Sequence, residues 1–241
     1  MSETLTLDDL QRLKTSTAAA LVQPEEAARI FGFAPSLVMV TDANCAQADA
    51  IRALRTHLVA QHINLGRRAL AVCAPNVDVG CSFVAANLAV SLSQIGVKTL
   101  LIDGDLRSPA LDRMIRRSDG NTGLTECLQS LDGPFAANID PDVLPNLSLL
   151  YAGGVVTNTQ ELLSGERFKA LMNYCLREYD VTIVDTPPAN TSTDARRIGS
   201  VVGYALIVTA RDKTYVKDMK TLAGELRSDG CLPVGSVLNG A

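Results

Sequence analysis

Three short segments hold the residues of this chain that could do chemistry. Asp103 and Asp105 stand two apart in Leu101-Ile102-Asp103-Gly104-Asp105-Leu106-Arg107, and Asp185 closes the apolar run Val181-Thr182-Ile183-Val184 ahead of Thr186-Pro187-Pro188. The third segment, Pro75-Asn76-Val77-Asp78-Val79-Gly80-Cys81-Ser82, joins an apolar run to Phe83-Val84-Ala85-Ala86-Asn87. Side chains at i and i+2 of an extended segment point the same way, so Asp103 and Asp105 can address one site. Carboxylates placed there could hold Mg²⁺ or take a proton from a hydroxyl, or could do no more than mark the end of a strand. Gly80, Cys81 and Ser82 fall where the pattern G-x-x-x-x-G-K-[ST] puts its last glycine, its lysine and its hydroxyl. In that pattern, backbone N–H groups cradle phosphates and the lysine reaches the β- and γ-oxygens.

Here Pro75 takes the first glycine position and Cys81 the lysine position. A thiol brings no positive charge, so one phosphate contact is lost. Gly80 and the start of the following helix still suit an anion. Ser82 can still ligate Mg²⁺ together with Asp103 and Asp185. A thiol at a helix N-terminus is expected to have a lowered pKa. That would make the loop redox-sensitive, with Cys73 as a partner. Asp78 opposes a thiolate, and loss of the lysine by drift is the simpler account.

The elements that must position these residues follow from the apolar pattern. Short Val/Ile/Leu-rich runs lie at Ala69 to Ala74, Thr99 to Asp103, Leu147 to Tyr151, Val181 to Asp185, Ala205 to Thr209 and Val234 to Leu238. Without polar alternation they read as strands buried on both faces, as in a parallel sheet covered by helices. Helical stretches alternate with them, including Phe83 to Ile95 before Gly96, and Gln160 to Glu178. This predicts a doubly wound α/β domain over residues 67–241, with its site beyond the carboxyl ends of the strands. Residues 1–35 read as a polar helical arm and 36–66 as a linking helix.

Composition narrows the class. A net charge of −4 gives no footprint for nucleic acid. Six cysteines without a Cys-x-x-Cys pair read as buried thiols in a reducing cytoplasm. The acidic N-terminus lacks a signal pattern, and no apolar helix is long enough to span a bilayer.

Taken together, Leu101 to Arg107, Val184-Asp185-Thr186-Pro187-Pro188 and Glu161-Leu162-Leu163-Ser164 before Arg167-Phe168 resemble the words of the bacterial tyrosine kinases of capsule and exopolysaccharide export. These belong to the MinD/ParA group of phosphate-loop ATPases. Ala86-Asn87-Leu88-Ala89, Thr193-Asp194-Ala195 and Gly235 to Asn239 sit where the family has similar words. Asp49-x-x-Arg52-x-x-Arg55 resembles the family's E-x-x-R-x-x-R helix, which contacts the neighbouring subunit of a ring. Read from the residues alone, the same pattern could be a solvated helix face with an internal Asp49–Arg52 pair.

The resemblance implies ATP and Mg²⁺ as cofactors, Asp103 and Asp105 near the transferred phosphate, and Gly80, Cys81, Ser82 and Arg107 around the nucleotide. It also implies assembly with like subunits or an active paralogue, and a membrane polysaccharide co-polymerase that holds the protein at the inner membrane. The departures at Pro75, Val79 and Cys81, with five scattered tyrosines and no C-terminal tyrosine cluster, point to a kinase-like protein with weak or no phosphoryl transfer. An active autokinase and a MinD/ParA-like positioning ATPase are the alternatives.

Overall fold

The computed structural model describes residues 31–118, 122–130 and 132–240. The helical reading of the arm at residues 1–30 lies outside the described residues. Phe31–Phe33, by contrast, forms a strand (β1) that pairs antiparallel with Ile115–Arg117 (β4).

The main sheet has seven strands. In chain order these are Ala69–Cys73 (β2), Thr99–Asp103 (β3), Asp140–Leu144 (β5), Leu147–Leu150 (β6), Val181–Asp185 (β7), Tyr204–Ala210 (β8) and Leu232–Asn239 (β9). In space the order is β5-β6-β3-β7-β2-β8-β9, parallel throughout except for β5 against β6. All six apolar runs of the sequence are strands. The antiparallel edge strand β5 was not foreseen, because Asp140-Pro141-Asp142-Val143-Leu144 has no apolar run. The expectation of burial on both faces fails for β9, an edge strand that leaves Leu232 and Leu238 exposed.

Successive side chains of the central strands enter two separate cores, as a sheet covered on both faces requires. Leu70 and Val72 of β2, Leu101 of β3 and Ile183 of β7 pack on one side; Ala71, Cys73, Leu100, Ile102 and Val184 pack on the other. The first side is closed by Cys81–Ser93 (α3), an apolar helix whose residues 84–93 are all buried. Ala46–Gln61 (α2) lies over α3 and buries Ala48, Ile51 and Leu58 in the same core. Residues 36–66 therefore belong to the domain's core as well as joining segments. Buried Asn87 fastens this layer: it accepts from the Met39 N–H at 3.0 Å and donates to the carbonyls of Ser36 (3.0 Å) and Phe83 (2.9 Å). Val38–Thr41 (α1) is held by these bonds.

The opposite face is covered by Leu124–Gln129 (α5), Thr159–Ser164 (α6), Glu166–Glu178 (α7), Asp194–Val202 (α8) and Val216–Ser228 (α9). The stretch from Gln160 to Glu178 is two helices, because Gly165 is extended (φ −71°, ψ 159°) and breaks it. Leu111–Met114 (α4) is a single turn between β3 and β4.

Candidate nucleotide and carboxylate site

The sheet register brings the chemistry together. β2, β3 and β7 lie side by side, Asp103 is the direct partner of Asp185, and Val72 is the partner of Asp185 on its other side. The loop after β2 and the two acidic strand ends therefore open on one cleft of about 640 Å³, lined by the 76–83 turn, Asp105, Arg107 and the Thr186-Pro187-Pro188 segment.

Gly80 is the N-cap of α3, at φ +86°. A Cβ there would stand 2.3 Å from Asn239 Nδ2, and Asn239 donates to the Val79 carbonyl at 3.1 Å. The last strand thus clamps the turn, and only glycine fits. Gly104 is fixed in a similar way, since a Cβ would lie 2.6 Å from the Asp185 carbonyl oxygen. The Gly104 N–H donates to that carbonyl at 2.9 Å, which locks the β3 and β7 ends together.

The acids have different jobs. Asp103 is buried, and both of its oxygens accept backbone N–H groups: Oδ1 from Asp105 (3.1 Å), Oδ2 from Ala110 (3.2 Å) and Leu111 (3.1 Å). It organises the 104–111 loop. Asp105 Oδ1 accepts from the N–H groups of Arg107 (3.1 Å) and Ser108 (2.9 Å), and Asp105 lines the cleft. Asp185 is buried close to Ser82 and Cys81, and its Oδ1 has no hydrogen-bond partner. A buried orphan acceptor next to a hydroxyl suits a hard cation, and the helix N-terminus beside them suits the anion that would share it. Among the described residues no three His, Cys, Asp or Glu side chains form a metal cage. Mg²⁺ would therefore be held by Asp185 and Ser82 together with phosphate oxygens, with Asp103 behind them.

No lysine or arginine among the described residues pairs with Asp103 or Asp185. Burial raises both carboxyls above the usual range; the Asp185 charge adds to this at Asp103, while at Asp185 the polar neighbours Ser82 and Cys81 offset part of it and the Asp105 charge adds to it. Two such groups titrate as one unit, and the last proton belongs to the pair.

The expected thiolate at Cys81 is not borne out. The Cys81 thiol donates to the Val72 carbonyl at 3.1 Å, an acceptor shared with the Thr186 hydroxyl at 2.9 Å. Burial, with Asp185 next, pushes its pKa well above the ordinary thiol value, and this outweighs the helix dipole. Cys73, the suggested redox partner, is fully buried and likewise raised, to about 12, by burial.

Arg107 lines the cleft, but its guanidinium is already engaged. Nε donates to Asp194 Oδ2 at 3.1 Å and a terminal N–H to the Thr159 hydroxyl at 2.8 Å, while that hydroxyl donates to the same Asp194 oxygen at 2.8 Å. This network, anchored on buried Asp194 and Thr159, ties the start of α6 to α8 beside the cleft. Sequence reading missed Thr159 and Thr186 and gave Asp194 no role. A second omission is Lys213, after β8, whose Nζ donates to the Asp78 carbonyl at 3.1 Å from outside the cleft lining. No local pattern announces a residue that arrives from 135 positions away.

Asp49, Arg52 and Arg55 share α2. Arg52 bridges to Asp49 at 2.7 Å, and Asp49 is largely exposed. Arg55 donates to the Ser91 carbonyl of α3 at 2.9 Å.

The raised pair has a consequence for stability. Unfolded, these carboxyls titrate near 3.8; folded, they keep a proton to higher pH. The folded state thus binds more protons above pH 4, and stability falls as pH rises through the raised values. Between pH 5 and 8 the pair should remove roughly 1–3 kcal/mol, and Asp185→Asn should flatten part of that loss by removing one titrating group and its charge beside Asp103. Urea unfolding over this range is the check; parallel pH slopes in the two proteins would contradict it.

No family model matches the chain. CapB of Staphylococcus aureus, which carries a tyrosine-protein kinase name, is 30% identical over 192 residues, covering 80% of this chain and 83% of CapB. The tyrosine-protein kinase Wzc of Salmonella typhi is 32% identical over 191 residues, which are 79% of this chain but 26% of Wzc. The chain thus spans about a quarter of that relative. Among solved structures, the kinase domain of the Escherichia coli tyrosine kinase ETK superposes with a TM-score of 0.78 at 29% identity, over 85% of this chain and 80% of that one. The chimeric protein CapA2B2 gives 0.77 at 26% identity, over 86% and 91%. MinD of Pyrococcus horikoshii, solved with Mg-ADP, shares the fold at a TM-score of 0.60 and 21% identity, over 71% and 70%. Matched at 30% identity over most of both chains by CapB, and in fold by a solved tyrosine-kinase domain, the chain belongs to the bacterial tyrosine-protein kinase family.

Proposed function

We propose that this chain is a kinase-like component of capsule or exopolysaccharide production that binds ATP–Mg²⁺ weakly and transfers phosphoryl groups poorly or not at all. The observation that carries this is the mismatch within one cleft. Gly80, Ser82 and the unpartnered Asp185 oxygen suit a Mg²⁺–phosphate group, while Cys81 turns inward to the Val72 carbonyl and offers no charge. Lys213 meets the loop at the Asp78 carbonyl from outside the lining, and the cations that do line the cleft, Arg107 and Arg113, come from the 104–114 segment and not from the loop. ATP, when bound, supplies the transferable phosphoryl group; Asp105 lines the cleft where an acceptor hydroxyl would give up its proton.

A fully active autokinase is the second reading, favoured by the intact acids Asp103, Asp105 and Asp185. A positioning ATPase has only likeness of fold behind it. No helix among the described residues is long and apolar enough to cross a membrane, which suits a protein acting in the cytoplasm and brought to the inner membrane by a polysaccharide co-polymerase.

Restoring the missing charge tests the central point. One charged phosphate contact corresponds to about 1.5–3 kcal/mol, so Cys81→Lys should bind ATP–Mg²⁺ roughly ten- to a hundred-fold more tightly by calorimetry. Tight binding by the natural protein, unchanged in the variant, would refute the weak-binding reading.

The exposed Asp49–Arg52 face is the proposed contact with a like subunit or an active paralogue. Since Arg55 serves the chain's own α3, the informative variant is Asp49→Arg with Arg52→Glu. Light scattering should show its mass drop from that of an oligomeric parent; an unaltered mass would remove the assignment.

A further inference from the structure

A second cleft, of about 630 Å³, lies on the other side of Asp103 from the nucleotide loop. Asp103, Arg113, Arg116, Arg117, Tyr151 and Val155 are among its lining residues, and Arg113 borders both clefts. Three guanidiniums in one cleft stand out in a chain of net charge −4. They come from α4 and β4, the excursion between β3 and β6.

Two observations say what kind of ligand fits. First, the guanidiniums are not equivalent. Arg117 is fixed: it pairs with Asp140 at 3.1 Å, donates to the Thr122 carbonyl at 2.8 Å and stacks over the Tyr151 ring at 4.4 Å. Arg113 and Arg116 are exposed, and no acid among the described residues pairs with either. Asp112 is the one other carboxylate in the lining besides Asp103. Second, the floor has few donors to spare. The Gly154 N–H donates to Glu126 Oε1 at 3.0 Å, and the Tyr151 hydroxyl donates to the Ile115 carbonyl at 2.8 Å. Recognition would therefore rest on separated guanidinium groups rather than on a tight nest of N–H groups, the arrangement that grips one compact phosphate. Exposed Val155 and the Tyr151 ring add apolar wall between them.

We infer that this cleft docks an acidic, extended polypeptide segment of a partner, read by Arg113 and Arg116 through charge-assisted hydrogen bonds. The segment lies beside Asp103, whose carboxyl lines the same cleft.

The probe is a fluorescein-labelled glutamate-rich peptide, followed by anisotropy with the full chain at low ionic strength. Binding should saturate and weaken with salt. The double variant Arg113→Glu/Arg116→Glu should lose about tenfold or more in affinity, while Arg227→Glu, an exposed reversal on α9, should change it by less than about twofold. Circular dichroism confirms that each variant is folded. The proposal is overturned by any of four results: no binding at low salt, affinity unchanged in the double variant, equal loss in Arg227→Glu, or displacement by inorganic pyrophosphate as readily as by unlabelled peptide. The last result would identify a compact-anion site instead.

Discussion

Two carboxyl groups stand side by side at the buried ends of neighbouring parallel strands, and no cation among the described residues offsets them. Full ionisation of both would place two like charges in a medium of low polarity, which is why both are shifted upward. Much of the local architecture serves to hold that pair. Gly104 permits the strands to close, the Asp103 oxygens collect the backbone of the 104–111 loop, and Thr186 and Cys81 share the carbonyl of the strand beside Asp185. A strained electrostatic arrangement of this kind is what a bound dication with its phosphate oxygens would relieve.

The loop facing the pair carries Cys81 and Ser82 at the start of its helix and brings no lysine. The left-handed Gly80, its Asn239 clamp and the helix N-terminus depend on backbone geometry and on the fold's last strand, so they persist without the lysine. The charge does not persist. Cys81 is small enough to turn into the strand carbonyl and become part of the wall. The acids keep a demand for positive charge, and the protonated Cys81 thiol does not meet it.

The central sheet was legible because buried parallel strands are short apolar runs, and six such runs were enough to set the fold class, though not the order of the strands in space. The acids at strand ends were legible for the same reason. Their division of labour was not. That Asp103 is saturated by backbone donors while Asp185 keeps an orphan oxygen depends on register and loop path, which no local pattern records. The thiol was misread because a helix dipole can be inferred from sequence, whereas burial against Asp185 cannot. That Asp194 and Thr159, 87 and 52 positions away, would share two of the Arg107 donors was not legible either. Edge elements were missed for a related reason: β5 and β1 follow from pairing partners, not from their own composition.

The account stands on the claim that Asp103 and Asp185 together retain a proton where ordinary carboxyls have lost theirs. Carbon-13 NMR of the aspartate side-chain carboxyls, titrated in the apo protein from acid to mildly alkaline pH, measures this directly, with Asp103→Asn and Asp185→Asn supplying the assignments. One carboxyl of the pair should remain protonated well above the ordinary 3.8, and removing either partner should lower the midpoint of the other. Two independent midpoints in the ordinary carboxylate range, indifferent to the partner's removal, would contradict it.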